Sequence, residues 1–62
     1  MKIKAIIIDD EPLAIDVLKK FSETIDYISI EGTFTNPLDA VKYLTENAVD
    51  LVFLDIEMPI IN

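Results

Sequence analysis

The segment DLVFLDIEMP, Asp50 to Pro59, decides the fold of this chain. It opens with a continuous apolar run, Leu51 to Leu54, and the run stops at once at Asp55. A short, uninterrupted run of β-branched, aromatic and aliphatic residues is typical of a strand that is covered on both faces of a parallel sheet. The segment therefore predicts a fully buried strand that ends on a carboxylate.

A second segment near the start of the chain repeats this pattern. Ile3 to Ile8 (IKAIII) is nearly all apolar, and the acids Asp9, Asp10 and Glu11 follow it directly. We expect a second buried parallel strand with acidic residues at its carboxyl end.

The first predicted strand leads into a helix. Pro12 suits the first helical position, and the acids before it are placed to cap the helix. The residues that recur at helical spacing and predict the buried face are Leu13, Ala14, Val17, Leu18 and Phe21. The residues expected to face water are Asp16, Lys19, Lys20 and Glu23.

A strand and a helix are predicted between the two apolar runs. Tyr27 to Phe34 alternates in the manner of a half-exposed edge strand. Its two predicted sides are Ile28, Ile30, Gly32 and Phe34 on one, and Ser29, Glu31 and Thr33 on the other. Asn36 followed by Pro37 predicts the start of a helix that ends near Asn47. The apolar stripe of this helix is expected at Leu38, Val41 and Leu44.

The order β-α-β-α-β with short connections predicts a single α/β domain built on a parallel sheet. A chain of 62 residues holds at most one small domain, and this one has no cysteine to reinforce it. We therefore expect marginal stability as a lone monomer.

The charge balance excludes some classes of partner. Twelve acidic residues against five lysines give a net charge of −7, which disfavours binding of nucleic acid or of an anionic membrane by this segment. The longest apolar runs, Ala5 to Ile8 and Leu51 to Leu54, are far shorter than the ~20 residues of a membrane span and too short for the core of a signal peptide. We expect a cytoplasmic chain. The lone Gly32 excludes a glycine-rich nucleotide-binding loop.

Acidic residues follow both apolar strands. If these strands are neighbours, Asp9, Asp10 and Asp55 meet at one edge of the sheet, where parallel α/β sheets bind ligands. Crowded carboxylates suit Mg²⁺, and a carboxylate beside a bound metal suits phosphoryl transfer, with Asp55 as the nucleophile. Structural alternatives remain: the acids before Pro12 could only cap the helix, Asp55 could only end a strand, and Met58-Pro59 could only form a turn.

Two segments resemble the receiver domains of two-component response regulators. They are IIIDDEPLA, Ile6 to Ala14, and DLVFLDIEMPIIN, Asp50 to Asn62. The interval from Asp9-Asp10 to Asp55 and the position of Met58-Pro59 follow the family pattern, and the resemblance covers the whole chain. The form DDEPLA is similar to receivers that precede a LytTR-type DNA-binding domain.

The resemblance implies a flavodoxin-like, doubly wound parallel sheet with strand order 2-1-3-4-5. It implies that Asp55 accepts a phosphoryl group from a phosphohistidine of a sensor histidine kinase, which makes the chain a signalling domain and not an enzyme. It also implies Mg²⁺ bound directly by Asp10 and Asp55, through water by Asp9, and by the backbone carbonyl of Glu57.

Residues 1–62 match only the first three strands of that fold, so we expect a partial receiver truncated after the third strand. The fourth-strand Ser or Thr, the fifth-strand Lys and the usual output face are missing, which predicts a fragment without a complete switch. The third strand is then expected to be an exposed apolar edge through which two copies associate, either by antiparallel pairing of the third strands across a two-fold axis or by strand exchange. DNA binding is expected only through an output domain outside this segment.

Two other functions stay open. A haloacid-dehalogenase-like phosphatase also forms an aspartyl phosphate, but it needs a second Asp two residues after the nucleophile. Here Glu57 follows Asp55 at that spacing and Glu11 follows Asp9. The other alternative is a non-catalytic self-association module whose acids only bind cations or cap a helix.

Overall fold

Three strands and two helices alternate along the chain in the computed structural model, which describes residues 2–55. The elements are β1 (Ile3–Asp9), α1 (Pro12–Glu23), β2 (Ile28–Phe34), α2 (Pro37–Glu46) and β3 (Leu51–Asp55). Their order is the β-α-β-α-β order that the sequence predicts.

β1 is the central strand of the sheet. It pairs in parallel with β2 on one side and with β3 on the other, which gives the order β2-β1-β3. Ala5 to Ile8 are buried, and Ile6 and Ile7 have no exposed surface. Because neighbouring side chains of a strand point to opposite faces, the burial of both isoleucines shows that both faces are covered. The predicted buried strand and the 2-1-3 part of the strand order expected from the resemblance are confirmed.

One face of the sheet carries a small hydrophobic core under α2. Ile6 and Ile8 pack with Ala40 of α2, and Phe34 and Tyr43 pack against them. The rings of Phe34 and Tyr43 lie 5.3 Å apart between centroids at an interplanar angle of 51°. A Cβ atom at Gly32 would lie 3.0 Å from the Phe34 ring, so the ring uses the space that a side chain there would fill.

The strict alternation predicted for β2 is wrong, because the strand contains a bulge. Ala5 pairs with Ile30, but the next residue, Ile6, pairs with Gly32. Glu31 is the extra residue, and it reverses the alternation of the strand after it. Phe34 therefore faces the core under α2.

The residues of β2 before the bulge face α1 on the other side of the sheet. Ile28 and Ile30 line a cavity together with Lys19 and Ser22 of α1. The sequence predicted Ile28, Ile30 and Phe34 on one side of β2. In the structure the two isoleucines face α1, whereas Phe34 faces α2.

The buried face of α1 agrees with the prediction only in part: Ala14 and Leu18 are half-buried, and the charged residues predicted to face water are exposed. Leu13, Val17 and Phe21 are exposed by 77%, 51% and 67%. Ile15 and Ser22 are buried instead, and the Ser22 hydroxyl donates to the backbone carbonyl of Lys19 at 2.7 Å. The helix has two adjacent apolar stripes, and its packing on β1 and β2 buries the one that contains Ile15.

α2 and β3 are more exposed than predicted. The stripe Leu38, Val41 and Leu44 faces outward, whereas Ala40 is buried. β3 is an edge strand in the described part of the chain, and Leu54 is 66% exposed. β3 therefore has the apolar sequence typical of a fully buried strand but lies at the edge of the described three-stranded sheet. An exposed third strand is what the resemblance predicts.

The two helices begin differently. Asn36 caps α2, because its side-chain oxygen accepts from the backbone N–H of Leu38 at 2.9 Å. Glu11 is the N-cap of α1 but makes no side-chain cap bond, so the predicted capping of α1 by acidic side chains is not seen. α2 ends at Glu46, with Asn47 as its C-cap, as predicted. Neither helix in residues 2–55 is long and apolar enough to cross a bilayer.

Candidate functional site

The parallel pairing of β1 with β3 brings two aspartates side by side. Asp9 and Asp55 are the last residues of the two strands, and they are paired residues in the register of the sheet. Both strands end at the same edge because parallel strands run in the same direction. The expected meeting of the two acidic strand ends is therefore present.

A small cavity of about 110 Å³ lies at this edge. Its lining residues are Asp9, Asp10, Glu11, Ala14 and Asp55. The three aspartates predicted as site residues thus share one cavity. The sequence did not predict that Glu11 and Ala14 also line it. Glu57, the fourth predicted ligand, lies outside the described residues, as do Met58 and Pro59.

Asp9 is held more firmly than the other acids of the site. Its side chain is only 3% exposed, and its Oδ1 accepts the backbone N–H of Glu11 at 2.9 Å. This bond spans the connection between β1 and α1 and holds the Asp9 carboxylate, which lines the cavity. Asp10 and Asp55 are exposed, so their carboxylates are accessible to a ligand.

The Asp9 bond also bears on the alternative that these acids only cap α1. A capping side chain accepts an N–H from the first turn of the helix. Asp9 accepts instead from Glu11, which is the N-cap residue itself, and Glu11 makes no side-chain cap bond. None of the acids just before Pro12 therefore makes a side-chain capping bond to the first turn of α1.

The charge of the cavity favours a cation. Every charged residue that lines it is an acid, and the buried carboxylate of Asp9 lies where screening by water is weak. The chain carries a net charge of −7, which adds to the negative potential. An ion with two positive charges would relieve the repulsion among these carboxylates.

The donor set is compatible with Mg²⁺, which needs few protein ligands. Within residues 2–55, no three acidic, histidine or cysteine side chains lie close enough to hold one ion together. Mg²⁺ usually keeps several waters and uses one or two carboxylates. Two exposed carboxylates beside an anchored third, all with oxygen donors, meet that requirement.

A larger cavity of about 390 Å³ lies at the opposite end of the strands. It is bordered by the end of α1 and the start of β2, and its charged lining residues have both signs: Lys2, Lys19, Glu23 and Asp26. None of the three described strands reaches it with its carboxyl end. The smaller acidic cavity is therefore the better candidate for chemistry.

The sequence did not predict the part that Asp50 plays in the sheet. The Asp50 side chain accepts the backbone N–H of Lys4 at 2.9 Å, and the backbone N–H of Asp50 donates to the Lys4 carbonyl at 2.8 Å. The sequence indicated only that Asp50 precedes β3. An aspartate just before an apolar strand is a weak signal for such a contact, because the partner is 46 residues away.

Comparison with known proteins gives one family match and several relatives. The family described as "Response regulator receiver domain" matches residues 5–62. Protein MrkE of Klebsiella pneumoniae is 43% identical over 58 residues, which is 94% of this chain and 22% of that protein.

Two further relatives are named as transcriptional regulatory proteins. YpdB of Escherichia coli K12 is 43% identical over 56 residues, 90% of this chain and 23% of the relative. BtsR of Salmonella typhi is 40% identical over 57 residues, 92% of this chain and 24% of the relative. The chain thus spans about a quarter of the length of these curated relatives. No solved structure gives a significant match.

Proposed function

Because this chain belongs to the response regulator receiver domain family, we propose that Asp55 is its phosphoacceptor and that Asp9 and Asp10 complete the site. The observation that carries the proposal is the pairing of Asp55 with Asp9 at the carboxyl ends of β3 and β1. This pairing places an exposed carboxylate on the wall of an acidic cavity.

The metal in this proposal is Mg²⁺, which receiver domains generally bind at the phosphorylation site. Asp10 and Asp55 would hold it directly, because both side chains are exposed and line the cavity. Asp9 would act through water, since one of its oxygens already accepts the Glu11 N–H. The carbonyl of Glu57 remains an expected further ligand. When bound, the ion neutralises the oxygens of the transferring phosphoryl group.

The chemistry assigned to Asp55 is nucleophilic attack. A carboxylate oxygen of Asp55 forms a bond to the phosphorus of a phosphohistidine on a sensor kinase, and the P–N bond breaks. The bonding electrons stay with the imidazole, which takes up a proton. The exposed position of Asp55 suits this reaction, because a protein-bound phosphohistidine must reach it.

We propose an acceptor that is labelled once, not an enzyme that turns over. The cavity lining contains acids and one alanine, with no described Ser, Thr or Lys that could contact the phosphoryl group. For the same reason we propose that residues 1–62 alone take up the group without completing a conformational switch.

The experiment that tests this function is labelling with acetyl phosphate in the presence of Mg²⁺, followed by intact-protein mass spectrometry. The wild-type chain should gain one phosphoryl group, and Asp55→Ala should gain none. Asp16→Asn, which removes an exposed acid of α1, is the matched control and should be labelled normally. Equal labelling of Asp55→Ala and wild type, or sustained release of phosphate, would contradict the proposal.

Further partners follow from the relatives. Two of them are named transcriptional regulatory proteins, so we propose that any contact with DNA is made by other parts of such a protein. We also propose that the chain acts in the cytoplasm. The negative charge of this segment supports that division, since DNA would be repelled.

Self-association is the second proposal about partners. β3 is an edge strand of the described sheet, and its Leu54 is 66% exposed. An exposed apolar edge has free backbone groups that can pair with another strand. We propose that a second copy of this chain pairs with β3 across a two-fold axis.

A further inference from the structure

The contact between Asp50 and Lys4 sits at the opposite end of β3 from the acidic cavity. Asp50 engages both backbone polar groups of Lys4 that face β3, through a side-chain bond of 2.9 Å and a backbone bond of 2.8 Å. The contact lies one residue before the first paired residues of the two strands, Ala5 and Leu51.

This contact fixes which residue of β3 lies beside which residue of β1. From Ala5 and Leu51 the pairing runs without interruption to Asp9 and Asp55. In the described part of the chain β3 has only β1 as a partner, so no second neighbour strand restrains its register. A slip of one residue would move Asp55 by ~3.3 Å along the strand and reverse the direction of its side chain.

The side chains of β3 give little further help in holding the register. Leu51, Val52 and Leu54 are exposed by 36%, 38% and 66%, and Phe53 is only half-buried. A register that is weakly specified by burial is prone to slip. A hydrogen bond at the start of β3 therefore has a large influence on which residue of β1 lies beside Asp55 at its end.

We propose that Asp50 is a positioning residue for the acidic site: by engaging Lys4 it sets the register that places Asp55 beside Asp9. The inference goes beyond the phosphoacceptor function and relies on it only for the magnesium measurement below. It needs the acceptor oxygen of Asp50 and not its charge, because the Lys4 partner is a backbone N–H.

The test compares Asp50→Ala with Asp50→Asn in the full 62-residue chain. Asn keeps a side-chain oxygen at the same place, so Asp50→Asn should retain the register and bind Mg²⁺ like wild type. Asp50→Ala should bind Mg²⁺ about five-fold more weakly, the effect expected from losing one ordinary hydrogen bond. Magnesium titrations followed by the NMR signals of Asp9, Asp10 and Asp55 give the affinities.

Asn36→Ala is the matched control for a general loss of stability. Asn36 also accepts a backbone N–H at 2.9 Å from an exposed position, but it does so at the start of α2 and not between β1 and β3. Asn36→Ala should lower stability to a similar extent and leave the Mg²⁺ affinity unchanged. Equal losses of affinity in Asp50→Ala and Asn36→Ala would overturn the proposal.

A second measurement separates this inference from the proposed function. Cross-strand NOEs between β1 and β3 report the register without any metal. In wild type they should connect Ile6 with Val52 and Ile8 with Leu54. They should be weakened or shifted in Asp50→Ala and normal in Asp50→Asn. If the wild-type chain fails to bind Mg²⁺ but the NOEs follow this pattern, the proposed metal site is wrong and the role of Asp50 stands. Unchanged NOEs in Asp50→Ala would refute the role of Asp50.

Discussion

Asp9 and Asp10 are neighbours in sequence, yet the structure gives them different surroundings. Asp9 is buried and accepts the Glu11 N–H, whereas Asp10 is exposed and also lines the cavity. Asp9 therefore contributes to the turn between β1 and α1 as well as to the charge of the site. Asp10 contributes only charge and a possible ligand oxygen.

This difference predicts the effect of Asp10→Asn. The variant should bind Mg²⁺ at least about ten-fold more weakly. Loss of a group that only hydrogen-bonds to a metal ligand already lowers metal affinity by about ten-fold or more, and loss of the ligand itself should cost at least as much. Its stability without Mg²⁺ should be unchanged or higher by up to about 1 kcal/mol, since repulsion with the neighbouring carboxylates is removed.

Magnesium titration and urea unfolding measure the two effects. Asp16→Asn on the exposed side of α1 serves as the control and should change neither by much. An Asp10→Asn variant with wild-type Mg²⁺ affinity would exclude Asp10 as a ligand.

The sequence predicted the aspartates of the site because the carboxyl ends of neighbouring parallel strands meet at one edge. That argument needs only the strand ends, which Asp9 and Asp55 mark clearly. It could not predict the bond from Lys4 to Asp50, which joins residues 46 apart and depends on the register of two strands. Nor could it predict the single bond that anchors Asp9.

At the scale of elements, the helix starts were predicted well, whereas the buried faces of the helices were predicted only in part. Pro12 and the Asn36-Pro37 pair mark the starts of α1 and α2. Each helix, however, carries apolar residues over a wide arc, and periodicity alone does not decide which part of the arc meets the sheet. The packing on β1 and β2 decides it, and in α1 it buries Ile15 and leaves Leu13 exposed.

The observed face of α1 predicts unequal effects of two alanine substitutions. Ile15→Ala should lower the free energy of unfolding by about 2–4 kcal/mol, because it leaves a cavity under the helix. Leu13→Ala removes a side chain that is 77% exposed and should change it by less than about 0.5 kcal/mol. Denaturant unfolding of both variants measures the difference, and a larger loss for Leu13→Ala would show that the helix is rotated.

At the scale of the whole molecule, the parallel α/β architecture followed from the order of the elements. The exposure of β3 was expected from the resemblance. In a receiver the fourth strand covers the third, and residues 1–62 match only the first three strands. The apolar composition of Leu51 to Leu54 predicted that this strand is buried. Composition alone does not show whether a strand has a neighbour on each side.

The exposed edge predicts concentration-dependent association of this chain. Sedimentation should show dimers at micromolar concentration, and more of them at higher ionic strength, because two chains of net charge −7 repel each other less when screened. Leu54→Lys should shift the chain to monomer, since a lysine on an edge strand opposes pairing.

Leu13→Lys is the matched control for this prediction. It introduces the same charge at a residue of similar exposure on α1, away from the β3 edge. It should leave the association nearly unchanged. A folded wild-type monomer at these concentrations, or equal effects of the two lysine variants, would contradict pairing through β3.

The bulge at Glu31 has a consequence for how so short a chain fills two layers. Because one residue is left without a partner, a single edge strand supplies Ile28 and Ile30 to the layer under α1 and Phe34 to the layer under α2. Shortening β2 by that one residue would turn the Phe34 ring away from Tyr43 and remove it from the layer under α2. The length of this strand is thus as constrained as its composition, and insertions or deletions there should be tolerated far less well than substitutions of Glu31.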